Sequence, residues 1–187
     1  ATALSPAGAS QGASTAIQPV VHGRTTLDGV DLTSFDAVVA AGLHPFNMKD
    51  RLALQEYVAG GGGLLLMPGP ATNPQQIQSA LGEGERFMPA RYGERHVYLD
   101  ENAPSINAAS IDHPALLSLK DTSEINIGSG KFKFLYDLVP VAKGDDTKIA
   151  VRLSNGKPAI IERRWGQGKV MAAAFGASAT GGSLPFK

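Results

Sequence analysis

Residues 35–73 read FDAVVAAGLHPFNMKDRLALQEYVAGGGGLLLMPGPATN, and the order of patterns in this stretch decides the fold class. Phe35 to Ala41 is an almost unbroken apolar run, as expected of a strand covered on both faces. Asn47 is placed to cap a helix, and Asp50 falls in the first turn, where the helix dipole favours a carboxylate. Met48, Leu52, Leu54, Tyr57 and Val58 form the apolar side of a helix running to about Ala59. The glycines at 60–63 end it, and Leu64–Met67 is a second buried strand. Asn73-Pro74 then starts another helix, with Ile77, Ala80 and Leu81 as its buried stripe and Gly82 as its stop.

Working outward, residues 1–15 (ATALSPAGASQGAST) are small and polar and are expected to be a flexible terminus. Ile17–His22 is a short strand candidate weakened by Pro19. Between Gly84 and Ser110 the pattern predicts short strands at Phe87–Ala90 and His96–Leu99 around a loop. Asp112-His113-Pro114 opens a helix through Leu119, and Lys131–Val141 is extended. The last third is antiparallel. Lys148–Leu153 and Pro158–Trp165 flank an Asn155-Gly156 turn, and Lys169–Phe175 follows the turn at Gly166-Gln167-Gly168.

The bulk composition bounds the function. The 187 residues suit a single domain spanning 1–187, and 43% apolar with 18% charged residues is globular in character. Seventeen Lys and Arg balance seventeen Asp and Glu, so no overall field draws the chain to nucleic acid or anionic lipid. No apolar run reaches the roughly 18 residues of a membrane span, so direct membrane insertion by this segment is not expected. Cysteine is absent, which removes disulfides, thiolate zinc sites and a cysteine nucleophile together.

Several motifs dissolve on inspection. The four glycines at 60–63 follow a helix and precede a strand, the reverse of a phosphate loop, so they read as a helix stop. Ile127-Gly128-Ser129-Gly130-Lys131 has the tail of a Walker A loop, but Ile125 stands where its first glycine belongs and Phe132 where Ser or Thr belongs. No G-x-S-x-G elbow occurs. His22, His44, His96 and His113 form no i,i+4 pair, and no metal site or cofactor is predicted. Arg163 and Arg164 are expected on opposite faces of a charge-protected, solvated edge strand.

The turn after the second strand runs from strand into helix, at the carboxyl edge where open α/β sheets bind ligands. Pro68, Pro70 and Pro74 remove N–H donors from any anion nest there. The residues placed for a small polar ligand are His44, Asn47, Gly69 and Asn73.

Taken in order, the segments DLTSFDAVVAAG, LQEYVAGGGGLLLMPG, FMPARYGE, DHPALLSL, NGKPAIIERRWGQGKVMAAAF and SLPFK resemble the class I glutamine-amidotransferase-like domain. The version they resemble is that of bacterial Bat-type (aerotolerance-type) membrane proteins, which carry a von Willebrand factor A domain. The resemblance implies a flavodoxin-like, mainly parallel three-layer α/β sheet, with the antiparallel hairpins in the C-terminal third. It further implies a piece of a larger membrane-anchored protein, lacking the family's first strand and helix, on the extracytoplasmic (periplasmic) face of the bacterial inner membrane. Pro68-Gly69 occupies the turn where amidotransferases carry their nucleophilic cysteine, so the family's reaction is not expected. The expected role is a non-catalytic interaction or scaffolding module with protein partners in a cell-envelope complex. A small-ligand or carbohydrate-binding module associated with a sugar-active enzyme is the alternative.

Overall fold

The computed structural model describes residues 18–23, 26–81, 87–99, 102–111, 113–119, 127–141 and 146–177. The opening stretch folds as its local signals predict. Strand β1 (Ala37–Ala41) leads to helix α1 (Met48–Ala59), strand β2 (Gly63–Met67) and helix α2 (Pro74–Leu81). Asn47 caps α1 by accepting the Asp50 N–H at 2.8 Å. Buried Asp50 accepts the Leu27 N–H at 3.0 Å, tying the incoming chain to the helix. Asn73 caps α2 through the N–H groups of Gln75 and Gln76.

A single strand, β3 (Ala90–Val97), replaces the two short ones expected in the middle of the chain. It pairs with β4 (Phe134–Pro140) as an antiparallel two-stranded ribbon with an irregularity between Tyr92 and Arg95. The polar run Arg91-Tyr92-Gly93-Glu94-Arg95-His96 hides its strand character, which pairing with β4 supplies. Pro114–Leu119 is a 3-10 rather than an α-helix, and residues 18–23 form no strand. Asp112, Gly82 and residues 1–15 lie outside the described residues, as do the side chains of Ala80 and Leu81.

The C-terminal meander is as expected: β5 (Thr147–Arg152), β6 (Pro158–Trp165) and β7 (Gly168–Ala173). In the β5–β6 turn Gly156 takes a φ of 84° and Asn155 accepts the Lys157 N–H, which only a glycine tolerates cheaply at that position. The main sheet has the order β1-β2-β7-β6-β5. The pairings β1–β2 and β2–β7 are parallel, and β7–β6 and β6–β5 are antiparallel.

This topology corrects the flavodoxin-like expectation. The sheet is mixed rather than mainly parallel, β3–β4 stands apart as its own ribbon, and the described residues contain two α-helices. α1 packs on β2, β6 and β7, and α2 on β3. Two helices and a ribbon do not make the repeated βα layers of a doubly wound sheet.

Placement also reassigns which strands are covered. β1 sits at the end of the sheet, and Val39 is 49% exposed. β6 is instead covered on both faces, since successive residues Glu162 and Arg163 are both buried. Arg163 therefore does not lie on a solvated edge, and its Nε and Nη1 find no hydrogen-bond partner, whereas Arg164 is exposed as expected. On α1, Leu54, Tyr57 and Val58 are buried, while Met48 and Leu52 face out. The core is centred on Leu64 and Leu66 of β2, Val170 of β7, Ile161 of β6 and Val58 of α1, each no more than 2% exposed. Burial of each such side chain contributes on the order of 2 kcal/mol.

Candidate functional site

The carboxyl ends of β1, β2 and β7 meet at one edge of the sheet. Gly42 and Leu43, leaving β1, both donate to the Met67 carbonyl at the end of β2, at 2.9 and 3.2 Å. Gly69 lies against this turn so closely that a Cβ there would stand 3.0 Å from the Gly42 Cα. Thr72 fastens the two turns. Its Oγ1 donates to the Leu43 carbonyl at 3.0 Å and accepts the Gly69 N–H at 2.8 Å. From β4, the Tyr136 hydroxyl reaches the carbonyls of Gly69 and Thr72 at 3.1 and 3.0 Å, and the Tyr136 N–H donates to the Ala174 carbonyl beyond β7. The backbone groups that would greet a ligand at such an edge thus satisfy one another. Thr72→Val is expected to lower stability by about 2 kcal/mol, because it removes the partner of the half-buried Gly69 N–H and of the buried Leu43 carbonyl. Thr72→Ser should restore most of the loss in chemical denaturation.

The four residues singled out from the sequence fall in two places. His44 is exposed in the turn after β1 and borders an apolar groove of about 210 Å³ along that strand. Asn47 is also exposed, with its side-chain oxygen engaged in the α1 cap. Gly69 and Asn73 belong to the neighbouring turn. Asn73 borders a second, more open cleft of about 650 Å³, between Pro70–Gln75 and Tyr92–Arg95 with Tyr136 at its floor. The Arg95 guanidinium donates to the Pro70 carbonyl across it. His44 and Asn73 do not share a cavity. Tyr136, Thr72 and Arg95 escaped the sequence reading, because their roles depend on partners such as Gly69, 67 residues from Tyr136.

Two titratable clusters lie elsewhere. On the ribbon, Asp137 accepts from Lys157 Nζ at 2.7 Å and pairs with His96 Nε2 at 2.8 Å, beside a cavity of about 200 Å³. Partial burial pushes the Asp137 carboxyl up, but the hydrogen bonds from His96 and Lys157, with the attraction of both groups, outweigh it and hold it below its ordinary 3.8. The contribution of Asp137 to stability is therefore complete above pH 3.8 and is lost as pH falls through its lowered folded value. Asp137→Asn should flatten that acid limb in denaturation series taken from neutral pH down into the carboxylate range. In the core, Glu162 accepts from Lys169 Nζ at 3.2 Å and contacts His113 Nε2, and both the histidine and the carboxylate are buried.

Among the described residues no group of three or more His, Asp or Glu side chains is placed to hold a metal ion. No helix among them is long and apolar enough to cross a membrane.

No family model and no curated protein matches the chain. Solved structures are similar to it at low identity. A cytoplasmic protein from Salmonella typhimurium LT2 is 18% identical with a TM-score of 0.57, over 79% of this chain and 63% of that one. The β-galactosidase from Bacillus circulans sp. alkalophilus is 15% identical with a TM-score of 0.54, over 77% of this chain and 20% of the enzyme. That from the Antarctic haloarchaeon Halorubrum lacusprofundi is 17% identical with a TM-score of 0.51, over 78% of this chain and 20% of the enzyme. The chain thus spans about a fifth of the length of these β-galactosidases. At such identities the likeness is one of fold.

Proposed function

We propose that the chain is a non-catalytic interaction module of a larger protein, and that it works through the open edge of β1. The observation that supports this reading is the edge itself. Ala37–Ala41 carries no charge or proline, ends the sheet among the described residues, and exposes Val39 by 49%. Monomeric proteins usually blunt such an edge with charge, proline or a bulge. Meanwhile the carboxyl edge spends its polar groups on its own turns, leaving few to orient a substrate. Membership of a bacterial envelope assembly, facing the periplasm, is part of the same proposal and draws on the resemblance of the ordered segments.

The test is thiol labelling of Val39→Cys, read at that residue by peptide mass spectrometry; none of the 187 residues is a cysteine. The thiol should be protected in cells producing the natural-length protein and react after mild denaturation. Equal reactivity before and after would remove the proposal.

A second reading, a carbohydrate- or small-ligand-binding module of a sugar-active protein, is favoured by the 650 Å³ cleft and its polar rim of Asn73, Gln75, Glu94 and Arg95. The fold likeness to part of the β-galactosidases is consistent with it. Titration with galactose and β-galactosides, followed by amide NMR, should then shift Gln75, Glu94 and Arg95 selectively. Shifts absent at millimolar sugar would sink this reading.

A further inference from the structure

The occupant of the β1 edge follows from which of its groups face outward. The Asp36 carbonyl accepts the Gly63 N–H and the Gly42 N–H reaches the Met67 carbonyl, so the even-numbered residues turn their backbone groups toward β2. Both groups of a strand residue point the same way, so Ala37, Val39 and Ala41 present their N–H and C=O groups away from the sheet. These three residues are exposed, whereas Val38 and Ala40 are half-buried.

We propose that this edge pairs with the same edge of a second copy of the chain, antiparallel and about a twofold axis through Val39. The inference rests on the reading of β1 as the interaction edge and names its partner. With the axis on a residue, Val39 opposes Val39 of the copy and Ala37 opposes Ala41. Every outward N–H of one strand then meets an outward C=O of the other, and none is left over. A twofold axis normal to the sheet also keeps its faces in register. Val38 and Ala40 stay on the covered side in both copies, and the valines at 39 meet on the open side.

Charge agrees with this register. Neither strand brings a charged side chain, and Asp36 falls opposite Gly42 rather than opposite its own copy, so like charges are kept apart. Flanking apolar surface extends the contact beyond the ladder. Val20, 60% exposed, lines the groove beside β1, and Val21, next in sequence, is 70% exposed. Such surface is needed, because a stable dimer buries on the order of 1,200 Å² or more. The product is an isologous pair in which two five-stranded sheets become one.

Three measurements test it. The unmodified protein should sediment at twice the chain mass, and Val39→Lys should return it to the chain mass while retaining its circular dichroism. Val39→Thr, which keeps the branched strand-forming shape, should retain the dimer. With a short bis-maleimide reagent Val39→Cys should give a covalent dimer, since directly opposed strand residues hold their Cβ atoms about 5.5 Å apart. Leu99→Cys, at a position 87% exposed, should not, and equal cross-linking of the two would overturn the proposal. A chain that sediments as a monomer, with the thiol of Val39→Cys still protected in cells, would overturn the self-pairing and leave the interaction edge standing. A monomer in which that thiol reacts freely in cells would overturn both.

Discussion

Gly168→Ala will destabilise the fold by about 3 kcal/mol, the upper range for overpacking. Gly168 opens β7 where three pieces of chain converge. A Cβ there would stand 2.3 Å from the carbonyl oxygens of both Val58 and Gly62. Neither obstacle is a side chain that turns away. Val58 belongs to the last turn of α1, and the Gly62 carbonyl accepts the Lys169 N–H. Relief requires moving the helix end or breaking the first β2–β7 bond. The next turn is equally close, with Gln167 donating to the Ala59 carbonyl at 3.0 Å. Urea denaturation at neutral pH measures the loss, and a change below about 1 kcal/mol would show that β7 shifts freely against α1.

Glu162→Leu should lower stability by a similar amount, about 3 kcal/mol, by breaking a buried charged contact from one side only. The Glu162 side chain is 6% exposed and that of His113 4%, so water reaches neither. Lys169 and Lys148, both about half exposed, can turn to solvent when the carboxylate is removed. His113, which also lies 3.4 Å from Lys169 Nζ, stays buried and loses the carboxylate it faces. Removing both partners is a different matter. In the double variant His113→Leu/Glu162→Leu both sides of the contact are gone, and apolar replacements of similar volume are often neutral in such sites. The double variant should therefore be clearly more stable than Glu162→Leu alone, with a coupling of about 2 kcal/mol. Additive losses would mean that the two side chains do not depend on each other.

What the sequence revealed was what neighbouring residues decide among themselves. Asn47 and Asn73 cap helices because the groups they bond lie two or three residues on. The Asn155-Gly156 turn joins its strands for the same reason. Burial is not local in this sense. The run AVVAA has the apolarity of a central strand and sits at an edge, while Arg163 has the chemistry of a surface residue and sits in a covered strand. Neither position is legible in the sequence, because only the order of strands in space decides it. The site divides in the same way. Gly69 and Asn73 were visible as features of a strand-to-helix turn, but Thr72 and Tyr136, which close that turn, act across 29 and 67 residues. Nothing periodic in the sequence marks such partners.

The insertion of β7 between β2 and β6 has a consequence for how the chain is made. The unit β1–α1–β2 emerges before the rest of its sheet, and β5 begins more than eighty residues after the start of β2. Neither group touches the other within the sheet until β7 arrives to join them. Until then β2 and β6 are both open on the side that β7 will fill, and contacts spanning such separations form slowly. A nascent or truncated chain ending before Gly168 is two half-sheets without a seam. β7 is the strand that makes them a single folding unit, and the growing chain is most exposed to wrong pairings just before β7 leaves the ribosome.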